Sequence, residues 1–395
     1  VRHLMGDVAE AMADLDGLDG LIGALRPDHH PLNWLVLALP VAVIADATHS
    51  TTLAFIASMI SIMPLALLLG HGTEELSLRT GETVGGLLNA TLGNAVEIII
   101  AVIAIFTAAN YLAEGDGAGA ADMILLVQAS LVGSMLGNML LVMGLAFLWG
   151  GLRHKRQRFS LATASSNSGL LMLAVIGISI PAFVNIAHRL ETGGSIATHD
   201  LMQISIGVAV AMLFAYVLSL LFILKTHSHL FQGEETGHSH ESPEMSTKAA
   251  VVLLLVSTIL VAWMAEILVH SIAAAGDSLH LPALFTGVIL VPLFGNAAEH
   301  FTAVSVAGKN KMDLSVAIAL GSTVQVALFV APLTVLLGAT MGVDMTLDFG
   351  VFPTMACLAG VLVATIIIED GTSNWLEGAL LLTTYAMIGM AFFII

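Results

Sequence analysis

The sequence predicts an all-α polytopic membrane protein, and three observations support that fold class. Hydrophobic residues make up 57% of the 395 residues, charged residues make up only 10%, and the mean hydropathy is +0.95. Apolar stretches of about twenty residues, long enough to cross a bilayer as a helix, recur along the chain. The pattern Gly-Asn-Ala-X-Glu occurs twice, at residues 93–97 and 295–299, each time inside such a stretch. An intramembrane carboxylate is costly, so it indicates a functional site.

Composition also excludes several classes of protein. The formal net charge is -17, whereas nucleic-acid binding requires clustered Lys and Arg. Cys357 is the only cysteine, so the chain can form no intrachain disulfide and no cysteine-based zinc or redox motif. An intramembrane metallohydrolase would need a pair such as His-Glu-X-X-His, which the sequence lacks. We therefore predict neither an enzyme nor a bound cofactor.

The N-terminal part of the chain divides into two segments. Residues 1–30 place apolar side chains at helical spacing with acidic residues opposite, which predicts an amphipathic helix. We favour a surface helix packed on the bundle over an interfacial or regulatory helix, because an acidic polar face suits anionic lipid poorly. Residues 1–26 lack a basic region followed by a compact apolar core, so no signal peptide is predicted. The first transmembrane helix is expected within residues 31–50, near 32–48.

Ten further spans follow in two sets of five. The first set fills residues 51–225 and the second fills residues 248–395, which gives eleven transmembrane helices in all. The predicted spans lie near residues 51–78, 82–110, 121–150, 159–188, 200–225, 248–275, 281–307, 313–341, 346–368 and 373–395.

The distribution of basic residues predicts the orientation, because Lys and Arg are retained on the cytoplasmic side. With a cytoplasmic N-terminus, only Arg189 of the 12 basic residues falls outside. The predicted cytoplasmic set is Arg2, Arg26, Arg79, Arg153, Lys155, Arg156, Arg158, Lys225, Lys248, Lys309 and Lys311.

The segment 226–247 between the two sets is predicted to be an acidic, histidine-rich cytoplasmic linker. Its side chains could together bind a divalent cation, but they show no fixed ligand spacing, so we favour a solvated flexible linker. The residues concerned are His227, His229, Glu234, Glu235, His238, His240 and Glu241.

The two five-span sets are predicted to be inverted repeats. Each set has its pentapeptide in the second span, and an odd number of spans reverses the direction of the second set. The third span of each set also carries a related segment, GSMLGN at 133–138 and GSTVQV at 321–326. Inverted repeats with a site between them near the midplane are the plan of many secondary transporters.

The polar residues at this depth offer oxygen ligands and almost no basic groups, which suits a hard cation such as calcium. In each pentapeptide the Asn lies three residues before the Glu, on the same helical face. The glycines allow close helix approach and an unwound backbone. The candidate metal-binding residues are Gly93, Asn94, Glu97, Ser134, Asn138, Gly295, Asn296, Glu299, Ser322 and Gln325.

Three further residues are candidates for the proton or ion path. Glu75, beside Glu74, and Glu266 lie in the first span of their sets and form a looser pair. His300 follows Glu299 but points to a different helical face. A proton relay and a packed, hydrogen-bonded histidine are equally favoured for His300.

A pair of nearby carboxylates can couple protons to the cation. At about 4 Å and an effective dielectric near 20, two carboxylates repel by roughly 4 kcal/mol, which favours the binding of protons or a cation. One doubly charged ion neutralises both carboxylates, and so do two protons. The empty dianion crosses a low-dielectric barrier much less readily, so exchange is favoured over leak.

Three segments resemble the signatures of a known family, the CAX-type calcium/proton antiporters of the calcium/cation antiporter superfamily. They are NATLGNAVEIII at 89–100, GNAAEHFTAV at 295–304 and GSTVQVALFVAP at 321–332. The resemblance extends over nearly all of the chain beyond the N-terminal segment. It implies one leading helix plus two inverted five-helix repeats, with Glu97 and Glu299 as alternating calcium and proton sites. It would place Glu75 and Glu266 near the vestibules. The linker departs from the family pattern because it is richer in His and less purely acidic.

We therefore predict a secondary transporter that exchanges cytoplasmic Ca²⁺ for protons by alternating access. Ca²⁺ and protons are its expected substrates, and a lipid bilayer, in particular a prokaryotic plasma membrane, is its expected environment. Sodium-driven exchange is disfavoured because it would require extra ligand sites around the carboxylates. Selectivity for Mn²⁺ or another divalent ion stays open, since oxygen ligands also suit those ions. A cation channel is less favoured, because it does not require an inverted carboxylate pair.

Overall fold

The computed structural model describes residues 31–80, 82–227 and 245–395, and these residues are almost entirely helical. The amphipathic segment predicted for residues 1–30 and most of the predicted linker lie outside the described residues. A 3₁₀ turn at Pro31–Leu37 leads into the first helix. The helices before the linker are α1 Ala38–Ala47, α2 Thr51–Thr80, α3 Glu82–Leu92, α4 Ala95–Glu114, α5 Gly117–Leu136, α6 Met143–Arg153, α7 Leu161–Thr192 and α8 Thr198–Leu221.

After the linker the helices follow a similar order. They are α9 Thr247–Leu279, α10 Ala283–Phe285, α11 Val291–Gly295, α12 Ala297–Gly308, α13 Met312–Gln325, α14 Ala331–Met341, α15 Val351–Ile368 and α16 Trp375–Ile394. Two short strands, β1 Gln157–Arg158 and β2 Thr372–Ser373, pair antiparallel and join the two halves.

The membrane character of the fold is confirmed by helix length and composition. Within the described ranges, nine helices are long and apolar enough to cross a bilayer, and a tenth results if the bent pair Ala283–Gly295 and Ala297–Gly308 is one span. A further apolar helix, Leu32–Ala47, is shorter. The all-helical polytopic fold class is thus correct, while the count of eleven spans stays a prediction.

Both spans that contain a pentapeptide are interrupted at its Asn. The predicted span 82–110 divides into α3 and α4, with Asn94 outside helical geometry at φ -100° and ψ 27°. The predicted span 281–307 bends by 61° at Asn296, whose φ is -95° and ψ is 9°. Both conformations lie in the bridge region of the backbone map, where many active-site residues are found. Each break places a glutamate, Glu97 or Glu299, in the first turn of the helix that follows it, as in discontinuous transporter helices.

A second irregularity recurs in the third span of each half. A π-helical turn at Gly137–Val142 joins α5 to α6, and another at Val326–Val330 joins α13 to α14. Such turns insert an extra residue and are frequent at functional sites. Asn138 lies inside the first turn and Gln325 lies directly before the second. The turns therefore redirect the two amide side chains, which occupy positions one residue out of register in the two halves.

Candidate functional site

The two pentapeptides lie against opposite halves of the protein. A Cβ on Gly93 would be 3.8 Å from Oε1 of Glu299 and 3.8 Å from Oε1 of Gln325. A Cβ on Gly295 would lie 3.7 Å from Cγ1 of Val96. Each glycine thus faces the other pentapeptide or its surroundings. These separations are ordinary van der Waals contacts, so both glycines lie directly against the opposite half.

The first pentapeptide is hydrogen-bonded to the second half of the chain. The Asn94 side-chain amide donates to Oε1 of Gln325 at 2.5 Å, and the Ser322 hydroxyl donates to Oδ1 of Asn94 at 3.1 Å. The Asn138 amide, from the first half, donates to the Ser322 hydroxyl at 2.9 Å. These bonds fix the orientation of all four side chains and connect α13 with the break between α3 and α4.

The second pentapeptide makes the corresponding bonds to the first half. The Asn296 amide donates to the Ser134 hydroxyl at 3.1 Å, and that hydroxyl points to Oε1 of Glu97 at 3.5 Å. In both halves, therefore, the pentapeptide Asn bonds to the Ser of the opposite Gly-Ser segment. The structure brings all ten predicted metal-site residues into one neighbourhood, namely Gly93, Asn94, Glu97, Ser134, Asn138, Gly295, Asn296, Glu299, Ser322 and Gln325.

Among the described residues, neither Glu97 nor Glu299 forms an ion pair. Glu97 is 8% exposed, and its carboxylate is repelled by the negative charge of Glu299. The Oε2 atom of Glu299 is buried without a hydrogen-bond partner among the described residues. The ion pairs found in that part of the chain, Glu75–Arg79 and Arg156–Asp370, involve neither glutamate. Carboxylates largely withdrawn from water without a cationic partner are costly, so a proton or a cation is expected to neutralise them.

The donor set fits a hard cation as a transported substrate. Among the described residues, no three His, Cys, Asp or Glu side chains gather into one cluster. Ligands beyond the two carboxylates would therefore be amide, hydroxyl or backbone oxygens, and none is soft. Calcium accepts six to eight such oxygens in flexible geometry. The oxygen donors found in the site are thus the residue types from which a hard cation was predicted.

A cavity reaches Glu97 and includes a residue that we did not predict. It is lined by Val96, Glu97, Ile100, Ser130, Ser134, Val291, Pro292 and Gly295. Ser130 lies one helical turn before Ser134 on the same face of α5, so the spacing of four residues could have identified it. Its hydroxyl donates to the carbonyl oxygen of Val127 at 2.9 Å, which leaves the oxygen lone pairs available to the cavity.

The chain matches a known protein family over most of its length. A model of the sodium/calcium exchanger protein family matches residues 50–225 and 249–394. The chain belongs to this family. Relatives named Ca²⁺/H⁺ antiporters are 44% identical in Aphanothece halophytica and 41% identical in Bacillus subtilis, where the protein is ChaA. These alignments cover 91% and 90% of the chain and 95% and 97% of the relatives. Within the family the chain is therefore of the CAX calcium/proton antiporter type.

Solved structures of the same family share the fold. The structure of native YfkE superposes with a TM-score of 0.76 at 37% identity, covering 92% of this chain and 100% of that one. A structure of the H⁺/Ca²⁺ exchanger CAX gives a TM-score of 0.67 at 12% identity, covering 94% and 93% of the two chains, and supports the fold alone.

The three predicted path residues of this family member have different surroundings. Glu75 is 3% exposed, and its Oε2 accepts hydrogen bonds from Nη1 of Arg79 at 2.9 Å and from the backbone N–H of Met245 at 3.3 Å. It therefore ties α2 to the residues just before α9. His300 is buried, with Nε2 unpartnered among the described residues. The Glu75 hydrogen bonds to Arg79 and Met245 involve no residue of the candidate site, and His300 makes no side-chain hydrogen bond to that site among the described residues.

Glu266 lies on the exterior of the bundle. It is exposed on α9, on a helical face shared with Ile259 at 65% and Trp263 at 43% exposure. The neighbouring His270 ring bonds to the Glu266 backbone carbonyl rather than to its side chain. The structure therefore does not bring Glu266 into the candidate site.

This position leads to a prediction for Glu266. Glu266→Gln should retain calcium transport within about twofold of wild type, because an exposed side chain outside the network contributes little to ion binding. The measurement is the initial rate of calcium flux in proteoliposomes. A loss comparable to that of a substitution at Glu97 would instead place Glu266 on the transport path.

Proposed function

We propose that this protein exchanges Ca²⁺ for protons by alternating access, with Glu97 and Glu299 binding the two substrates in turn. One observation is central to the proposal. Two carboxylates from opposite halves of the chain lie close enough for the charge of Glu299 to act on Glu97, among amide and hydroxyl oxygens and without a basic partner among the described residues. The Ca²⁺/H⁺ antiporters with which the chain is 44% and 41% identical support the choice of substrates.

Charge neutrality provides the coupling. A bound Ca²⁺ neutralises both carboxylates, and two protons do the same, so either loaded form can pass through a low-dielectric barrier. The empty site holds two uncompensated negative charges, and desolvation makes the corresponding transition much more costly. Because both substrates compete for the same oxygens, the release of one favours the binding of the other.

The correspondence between the two halves supports inverted repeats at residues 51–225 and 248–395. Each half has a helix break at the pentapeptide Asn and a π turn in the following span. The cross-bonds are also reciprocal, Asn94 with Ser322 and Asn296 with Ser134. Two repeats that exchange conformations would alternately open the site to each side of the membrane.

The two sides of the site differ in exposure. Gly93 is exposed, and Glu299, Gly321 and Gln325 are partly exposed. Their counterparts in the other half, Gly295, Glu97, Gly133 and Gly137, are buried. Since α3 leads from the predicted cytoplasmic side to Gly93, we propose that this conformation is open to the cytoplasm.

We further propose that the protein lies in a prokaryotic plasma membrane with a cytoplasmic N-terminus and moves calcium outward while protons move inward. The bacterial and cyanobacterial relatives and the distribution of basic residues support this assignment.

The proposed exchange predicts that a proton gradient alone drives calcium transport. Purified protein in sodium-free liposomes should accumulate calcium when the lumen is more acidic than the medium, because lumenal protons leave down their gradient. Calcium uptake is measured with a tracer and lumenal pH with a trapped dye. The double variant Glu97→Gln/Glu299→Gln is the negative control. Calcium uptake that does not depend on the pH gradient, or that requires sodium, would contradict proton exchange.

A further inference from the structure

Half of the basic residues of the chain form one surface feature, which we call the basic patch. It comprises Arg153, Lys155, Arg156, Arg158, Lys309 and Lys311, all exposed. These are six of the 12 Lys and Arg residues in a chain whose net charge is -17. Arg153 ends α6, the next three follow it, and the two lysines follow the end of α12. The transport mechanism uses none of them.

Hydrogen bonds hold the two loops of the basic patch together. The Gln157 side-chain amide donates to the carbonyl oxygen of Ala307 at 2.9 Å and to Oδ1 of Asn310 at 2.9 Å. Nε2 of His154 lies 3.2 Å from the carbonyl oxygen of Gly308. Pairing of β1 with β2 also fixes Gln157 opposite Ser373. The cations therefore share one fixed surface built from both halves of the chain.

Most of this positive charge has no ion-pair partner among the described residues. Within the described ranges, the one ion pair of the basic patch joins Nη2 of Arg156 to Oδ2 of Asp370 at 4.0 Å. Hydrogen bonds from the side chain and backbone of Thr372, helped by Arg156, lower the pKa of Asp370, so its carboxylate stays ionised. The nearby Asp313 carboxylate accepts the Ser160 backbone N–H. Five of the six cations thus have no ion-pair partner among the described residues.

Exposed apolar side chains border the basic patch. Trp149 is 43% exposed and Leu152 is 66% exposed at the end of α6. Trp375, directly after β2, is 51% exposed. The Arg153 guanidinium lies 4.1 Å from the centroid of the Trp149 ring. Tryptophan beside basic residues at a helix end is typical of the bilayer interface, where acyl chains meet head groups.

We propose that the basic patch binds the head groups of anionic phospholipids in the leaflet that covers it. Phosphate oxygens would meet the fixed cations, while Trp149 and Leu152 would contact the acyl chains. Basic clusters at this level recognise anionic lipids through such combined contacts. A general excess of basic residues would also satisfy the topology rule, but it would not require two loops to hold six cations on one surface.

The test compares two charge-matched double variants of the full-length protein in a zwitterionic detergent. Lys309→Gln/Lys311→Gln removes two charges from the basic patch, and Lys225→Gln/Lys248→Gln removes two exposed lysines elsewhere on the same predicted side. Binding of phosphatidylglycerol and phosphatidylcholine is measured by native mass spectrometry, and thermal unfolding is followed in parallel. Thermal unfolding in the presence of inorganic phosphate distinguishes binding of a lipid head group from binding of a free anion.

We expect wild type to bind phosphatidylglycerol in preference to phosphatidylcholine. The patch variant should lose about tenfold in phosphatidylglycerol affinity, whereas the control variant should behave as wild type. The patch variant should elute as monodisperse protein, since neither Lys309 nor Lys311 makes a side-chain hydrogen bond within the described ranges, and thermal unfolding checks the fold of both variants. Equal affinity losses in the two variants, no lipid preference in wild type, or equal stabilisation by inorganic phosphate would each overturn the proposal.

Discussion

Glu97→Gln and Glu299→Gln are each expected to reduce proton-driven calcium transport by at least about 100-fold. A 100-fold lower rate corresponds to a free-energy barrier about 2.7 kcal/mol higher. Glutamine keeps the size of the side chain and one oxygen ligand but removes the negative charge. A single remaining carboxylate leaves bound Ca²⁺ with one uncompensated positive charge in a buried site. Passage of that charged form through the closed site is disfavoured by desolvation.

The experiment measures both transport and binding for the two variants. Calcium flux is determined in proteoliposomes with an acidic lumen, and calcium affinity is determined calorimetrically on the detergent-solubilised protein. Glu266→Gln serves as the matched control, because it makes the same chemical change at an exposed position of α9. Retention of more than a tenth of wild-type flux by either variant would show that one carboxylate suffices, and the charge-neutral coupling would be wrong.

The principal site residues could be predicted because their signal is local. Each pentapeptide places an Asn and a Glu on one helical face inside an apolar span, and that pattern alone identified Glu97 and Glu299. The Gly-Ser segments then supplied Ser134 and Ser322, which the structure joins to the opposite pentapeptide. Repetition of a short polar motif at membrane depth is informative because such residues are costly there.

Other features depend on neighbours that are distant in sequence. Glu75 and Glu266 occupy related positions, yet one is buried against Arg79 and the other is exposed. No local pattern distinguishes them, since burial is decided by which helix packs alongside. The π turns at 137–142 and 326–330 lie beside Asn138 and Gln325, whose side chains hydrogen-bond across the halves. The sequence analysis did not predict these turns.

Gly133→Ala is expected to destabilise the protein by about 3 kcal/mol, at the upper end of the range for overpacking. A Cβ at this position would overlap the carbonyl oxygen of Val288 and come within 2.6 Å of Cγ of Pro292. Backbone at residues 286–290 cannot move aside as a flexible side chain would. The measurement is thermal unfolding of the purified protein, with Gly137→Ala as control because a Cβ on Gly137 meets nothing within 4 Å.

Gly321 occupies the same place in its Gly-Ser segment as Gly133, but a Cβ there would also meet nothing within 4 Å. If the inverted repeats exchange conformations during transport, Gly321 becomes the closely packed glycine in the alternate state. Gly321→Ala should then leave thermal stability near that of wild type while reducing calcium flux by about tenfold or more, because the clash arises only in the alternate state. Full transport by this variant would contradict an exchange of packing between the two glycines, whereas unfolding of the variant would show that Gly321 is already closely packed.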